Sequence, residues 1–245
     1  MRRLCDQGYI RTMPTRTIPL RDHAFRPDPS GVLWWAERRW LLVADLHLEK
    51  ATALARRSHR LLPPYDSTAT LARLGAAIDR LDPVAVVALG DSFHDSGGAD
   101  RLAADDLATL TRLARGRDWI WVLGNHDPDL PASLPGDRTE ELQVDGLVCR
   151  HAAAPGAAGE ISGHYHPKAA ISGRAGRVTG RCFVADEHRL VLPAFGAYTG
   201  GLDVLDPAIR GLLGPLFHVW LIGRAGLHRF PDARLSPIAP RWLVA

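Results

Sequence analysis

Five short polar clusters each close a hydrophobic run, and their residue types are those that hold divalent ions. Asp45-Leu46-His47 follows Trp40–Ala44, Gly90-Asp91 follows Val84–Leu89, and Gly124-Asn125-His126-Asp127 follows Trp119–Leu123. Farther along, His151 follows Leu147–Cys149, and Gly163-His164-Tyr165-His166 follows Glu160–Ser162. Oxygen and imidazole donors without a thiolate suit manganese, iron or zinc rather than a cysteine-bound structural ion. One intervening residue lets both donors of Asp45/His47, and of His164/His166, reach the same side of an extended segment. Gly90, Gly124 and Gly163 permit tight turns and close backbone approach beside them. Each cluster alone is weak evidence; five in this order, each at a strand end, point to a metal centre.

The elements that must position these donors can be read from hydrophobic pattern and turn residues. Val32–Ala36 and Trp40–Ala44 form a strand pair across Glu37-Arg38-Arg39, and Glu49–Arg57 has helical composition. His59–Asp66, with Pro63-Pro64, is a loop, and Ser67 is expected to cap a helix running to Leu81. Asp82-Pro83 ends it. Val84–Leu89 reads as a buried strand, then come a loop from Asp91 to Gly98, a helix from about Ala99 to Ala114, and the strand Trp119–Leu123. This alternation belongs to an α/β layer whose ligands sit beyond the carboxyl ends of the strands. The second half holds shorter strand candidates, Leu147–Cys149, Glu160–Ser162, Arg177–Val184, Leu190–Pro193 and His218–Ile222, separated by glycines and prolines. Two packed sheets with helices outside fit better than one doubly wound sheet.

With 245 residues and no linker-like stretch, residues 19–245 are expected to form a single domain behind a poorly anchored leader over 1–18. Hydrophobic runs are strand-sized, and no membrane span or apolar signal segment is read. Cys5, Cys149 and Cys182 are scattered and odd in number, which suits a reducing cytoplasm. The net charge is +3 and 28 of the 30 basic residues are arginines, a balance that favours a polyanionic partner without identifying one.

The ordered motifs DxH, GD, GNHD, a lone His and GHxH resemble those of the calcineurin-like metallophosphoesterase superfamily over roughly Leu41 to Pro167. The resemblance implies a four-layer α-β-β-α sandwich of two mixed sheets flanked by helices. It also implies two divalent ions per chain, manganese foremost, with iron, zinc or magnesium as alternatives. Asp45, His47, Asp91 and His166 would hold one ion. Asp91, Asn125, His151 and His164 would hold the other. His126 would face the scissile phosphate and Asp127 would orient it. His94 and Asp95 are candidates for supporting contacts or substrate contact. The stretches Leu62–Asp66, Gly90–Asp95, Gly159–Lys168 and Leu192–Val204 look like those of the ligase-associated DNA damage response endonucleases. That narrower resemblance implies a manganese-dependent endonuclease acting on DNA and linked in repair with a ligase, a helicase and a nuclease, and single-stranded DNA is the expected substrate. The run Ala152-Ala153-Ala154-Pro155 after His151 departs from it by lacking a polar residue.

Substrate contacts are read more widely. Tyr65 and Tyr198 can stack on a base, and Lys168, Arg174, Arg177 and Arg181 can track a phosphate backbone. Leu192–Val204, with its glycines, is either a tight turn anchored in the core or a loop rimming the metals. Two other readings stand: a hydrolase of a nucleotide or other small phosphate ester, and a non-catalytic interaction scaffold. The first would show an enclosed pocket, and the second a missing ligand.

Overall fold

Two mixed β-sheets pack face to face in a computed structural model that describes residues 17–58, 61–173 and 176–238. The first sheet runs in chain order: β1 (Ile18–Leu20), β2 (His23–Pro27), β3 (Leu33–Trp35), β4 (Trp40–Val43), β5 (Ala85–Leu89), β6 (Asp118–Val122) and β7 (Asp137–Thr139). Strands β1 to β4 pair antiparallel and β4 to β7 parallel. The second sheet contains β8 (Glu141–Val144), β9 (Leu147–Arg150), β10 (Glu160–Ser162), β12 (Gly176–Ala185), β13 (Arg189–Val191), β14 (His218–Gly223) and β15 (Gly226–Pro231). Its order is β15-β14-β12-β13-β10-β9-β8, and β11 (Lys168–Gly173) pairs with β12 as a hairpin arm. Strands β9, β10 and β13 are mutually parallel.

Alternation along the strands sorts the core. Leu41, Val43, Val86 and Ala88 face one way, against Leu71, Leu74 and Ile78 of α2 (Asp66–Leu81) and Leu110 and Leu113 of α4 (Ala104–Ala114). Leu42, Ala44, Val87 and Leu89 face the other way, against Cys149, Ile161, Phe183 and Leu192 of the second sheet. The period of two in a fully buried run is what places helices on one side and a sheet on the other. The outer layer of the second sheet is thin. Val204, Ile209, Leu213 and Phe217 cover Cys182, Val184 and Val219, with only the single-turn α5 (Pro207–Arg210) between them.

Several expectations need correction. Ser67 does not cap α2. The cap residue is Tyr65, without a side-chain bond, and Ser67 Oγ instead accepts from Glu49 N and donates to Glu49 Oε1. The helix expected from Ala99 is two, α3 (Gly98–Arg101) and α4, because Leu102 turns to an extended ψ of 125° and buries its side chain. Strands β1, β2, β7, β8, β11 and β15 were not expected. The leader lies outside the described residues except for its end, and Ile18 there starts β1 and is fully buried.

Candidate metal centre

The parallel strands β4, β5 and β6 end on one rim, and the segments that leave them carry Asp45, Asp91 and Asn125. Strands β9 and β10 of the facing sheet lead into the segments that carry His151 and His164. The two rims are tied together behind Asp45. Ala44 bridges Ala194, Phe195 N donates to Ala44 O at 2.9 Å, and Gly196 N donates to Asp45 O at 3.0 Å. Leu192–Val204 therefore braces the Asp45 loop from behind, and Tyr198 donates to Pro63 O.

Two triads result: Asp45, His47 and His166, and Asp91, His151 and His164. In each, the donor atoms lie within 4.8 Å of one another. In the first, His47 Nε2 and His166 Nε2 are 3.2 Å apart and His166 Nε2 is 3.3 Å from Asp45 Oδ1. In the second, His151 Nε2 lies 3.3 Å from Asp91 Oδ1, 3.0 Å from His164 Nδ1 and 2.9 Å from Asn125 Oδ1. Asp91 also turns Oδ2 toward the first triad, 3.9 Å from His47 Nε2.

The backbone achieves this differently from the extended segments expected. Asp45 (φ 54°), His47 (43°), Asp91 (47°), His164 (71°) and His166 (48°) are all left-handed. His164 and His166 consequently serve different triads. Asp and His tolerate this conformation better than most side chains, so the donor types match the turns as well as the chemistry. Gly163 is needed for close approach, since a Cβ there would sit 2.6 Å from the Ala44 Cβ and 2.7 Å from Asp45 Oδ2.

Asp127, expected to orient His126, does something else. Its Oδ1 accepts from Asp91 N and Gly124 N, and its Oδ2 from Phe93 N, each at 3.0 Å. Both oxygens are spent on the amides that shape two ligand loops. The His126 ring is held instead by the His94 carbonyl, to which Nδ1 donates at 2.7 Å, and by the stacked His94 ring 5.0 Å away. That leaves His126 Nε2 on the Asp91 side, 3.9 Å from Oδ2.

Protein groups alone set the following proton balance. Burial, reinforced by His166, pushes the His47 imidazole down to about 2, so it offers a lone pair. Burial opposes ionisation of Asp91, but His151 brings its carboxyl down to about 2. Burial and the Asp91 charge push Asp127 up to about 6, with backbone N–H groups opposing. Burial alone would lower His151, yet Asp91 and Asp45 together raise it. Asp45 and Asp91 are almost wholly buried, and among the described residues their ion-pair partners are histidines only. Buried carboxylates need matching positive charge. A donor set of carboxylates, imidazoles and one amide oxygen converging there fits divalent cations.

The remaining expected residues spread out. Asp95 accepts from Arg101 at 2.8 Å and lies 3.7 Å from Arg57. Tyr65 is exposed at the start of α2. Lys168 opens β11, two residues beyond His166. Arg181 is interior, donating to Ala194 O, and Arg177 donates to Pro237 O; neither lines the site, and Arg174 lies outside the described residues. The uniform Ala152–Ala154 run is anchored from elsewhere: Ala154 N donates to Glu160 Oε2, and Arg189 pairs with Glu160 while donating to Ala154 O and Ala157 O. Sequence reasoning missed Lys50 and Arg57 of α1 (Lys50–Ser58). Their spacing of seven on the helix directly after Asp45-x-His47 was the signal available.

The site is open rather than enclosed, with a cleft on either side of Asn125. One, of about 350 Å³, is lined by Arg57, Asp95, Ser96, Asn125, His126 and Pro128. The other, of about 450 Å³, includes Asn125, Glu140, Glu141, Arg150, His151 and His164.

The family model described as calcineurin-like phosphoesterase matches residues 38–181. No curated protein matches the chain. Among solved structures, the nuclease MPE of Pseudomonas putida is similar with a TM-score of 0.67 and 29% identity, over 88% of this chain and 99% of that one.

Proposed function

The chain belongs to the calcineurin-like phosphoesterase family, a family of metal-dependent hydrolases, and from that premise we propose that it cuts phosphodiester bonds in DNA. The observation that carries a binuclear site is Asp91, whose Oδ1 faces His151 and whose Oδ2 faces His47. In this reading Asp45, His47, Asp91 and His166 hold one divalent ion, and Asp91, Asn125, His151 and His164 hold the other. Bound ions of this kind lower the pKa of water and neutralise charge on phosphoryl oxygens. The chain's own residues do the rest. The His94 carbonyl fixes the His126 tautomer, with the proton on Nδ1 and Nε2 toward the cleft. When also protonated at Nε2, His126 donates to a phosphoryl or leaving oxygen. Asp127 holds the Asp91 and Gly124 loops in register.

The finer reading is a manganese-dependent, single-strand endonuclease of DNA repair in the cytoplasm, working with a ligase, a helicase and a nuclease. Its support is the four sequence stretches noted above, the nitrogen and oxygen donor set, the open cleft, and the likeness to a bacterial nuclease. The test is cleavage of circular single-stranded DNA with Mn²⁺, comparing the full chain with Asp91→Ala and His126→Ala. Nicking abolished by Asp91→Ala and reduced about 10²–10⁴-fold by His126→Ala is expected. Intact circles alongside hydrolysis of a simple aryl phosphate ester would overturn the DNA reading and favour a small ester as substrate.

A further inference from the structure

The two clefts that meet at Asn125 differ in charge. On one side Arg57, 64% exposed in its side chain, lies 3.7 Å from Asp95, whose Oδ1 already accepts from Arg101 at 2.8 Å. Two guanidiniums against one carboxylate leave a net positive charge beside His126. On the other side Glu140 and Glu141 line the cleft against Arg150, which Glu141 holds at 3.0 Å, while Glu160 behind them is paired with Arg189. Acid exceeds base there.

Helix α1 supplies the positive side. Lys50 and Arg57 are seven residues apart, hence on one helical face with a rise of about 10 Å between them. Arg57 lines the same cleft as His126, whose ring stacks on His94. The face starts three residues after His47 of the first triad and reaches Arg57 in the cleft wall.

We propose that this face of α1 is the subsite for the phosphate next to the scissile one. Arg57 holds that phosphate, Lys50 supports the charge nearer the triads, and the strand leaves over α1 rather than over the Glu140–Glu141 side. The proposal deepens the nucleic-acid reading above and rests on it. An arginine that is exposed, half-neutralised and aimed into the same cleft as His126 has the geometry for a phosphate fork. The acidic flank repels a second phosphate.

The experiment uses the full chain with Mn²⁺, a fluorescent single-stranded oligonucleotide, and bis(p-nitrophenyl) phosphate, which has no neighbouring phosphate. Arg57→Ala should raise the oligonucleotide KM about ten-fold with kcat nearly kept. The slope of log KM against log salt should fall by about 0.7, the loss of one single-strand phosphate contact. The effect on the small ester should be several-fold smaller, and Arg57→Lys should recover most of the salt slope. Glu140→Gln, on the flank the strand avoids, should lower KM slightly by easing that repulsion, far less than Arg57→Ala raises it. If the wild type cuts the oligonucleotide and Arg57→Ala matches it in KM and slope, the α1 subsite is wrong while the nuclease reading survives. If Glu140→Gln shifts KM more than Arg57→Ala does, the direction of the strand is wrong. If the wild type hydrolyses only the small ester, the nucleic-acid reading fails and takes the subsite with it.

Discussion

Asp127 shows how much of this site depends on a carboxylate spent on backbone amides. Its carboxylate ties Asp91 N, Phe93 N and Gly124 N into one knot. Removing it in Asp127→Ala strands buried amides, each costing about 1–3 kcal/mol. Calorimetric unfolding should therefore show a clear drop in Tm. Titration calorimetry with Mn²⁺ should show affinity weakened by roughly 10–100-fold, the range for lost supporting contacts. An unchanged affinity would mean that the Asp91 loop is held by other contacts. The donors were legible in the sequence because residue type and order survive without coordinates. The target of Asp127 was not, because adjacency to His126 says nothing about which way a side chain turns. The left-handed backbone at Asp45 and His47 was hidden for a similar reason: spacing of two is the same in a strand and in a double turn.

At the level of elements, strands β4, β5 and β6 announced themselves. Each is a short apolar run rich in branched or aromatic residues, as a strand covered on both faces must be. The unexpected strands lack that signature. Strand β7 is Asp-Arg-Thr, β8 is only partly buried, and β11 ends in Ser-Gly, so neighbours rather than propensity define them. The turn from β2 to β3 is similarly held from outside. Asp28 accepts from Ser30 N and Oγ and takes both guanidinium nitrogens of Arg80 in α2, at 2.8 and 2.9 Å. Burial opposes its ionisation, but Arg80 and Ser30 hold its carboxyl below the usual range. A depressed carboxylate stabilises the fold above its unfolded value of about 4, and that contribution vanishes as pH falls through the folded value. Arg80 is half exposed, so Asp28→Asn should cost only about 1 kcal/mol at pH 7. Urea unfolding should show the gap from wild type narrowing as pH falls below about 4. A gap that stays constant with pH would show that packing, not charge, is what Asp28 contributes.

Across the whole molecule, Cys149 lies in the core between the two sheets and Cys182 in the core on the outer face of the second. Burial pushes the Cys149 thiol up to about 12 and raises that of Cys182 as well, and both are free. Iodoacetamide at pH 8 should leave both unmodified in the native protein and label both in urea, as read by peptide mass. Native labelling of Cys149 would mean that the sheets separate readily. Among the described residues no helix is long and apolar enough to cross a membrane. Five donors, Asp45, His47, Asp91, His164 and His166, share left-handed backbone. Outside glycine each such residue costs on the order of 1 kcal/mol, and together with two buried carboxylates this is sizeable beside a typical net stability of about 5–15 kcal/mol. The polypeptide by itself is thus under tension at its own rim, and whatever cation the triads take up settles that debt through mass action. Heat resistance in this protein becomes a gauge of ion loading. A sample stripped by chelator should melt well below a replenished one, long before any assay of its chemistry is run.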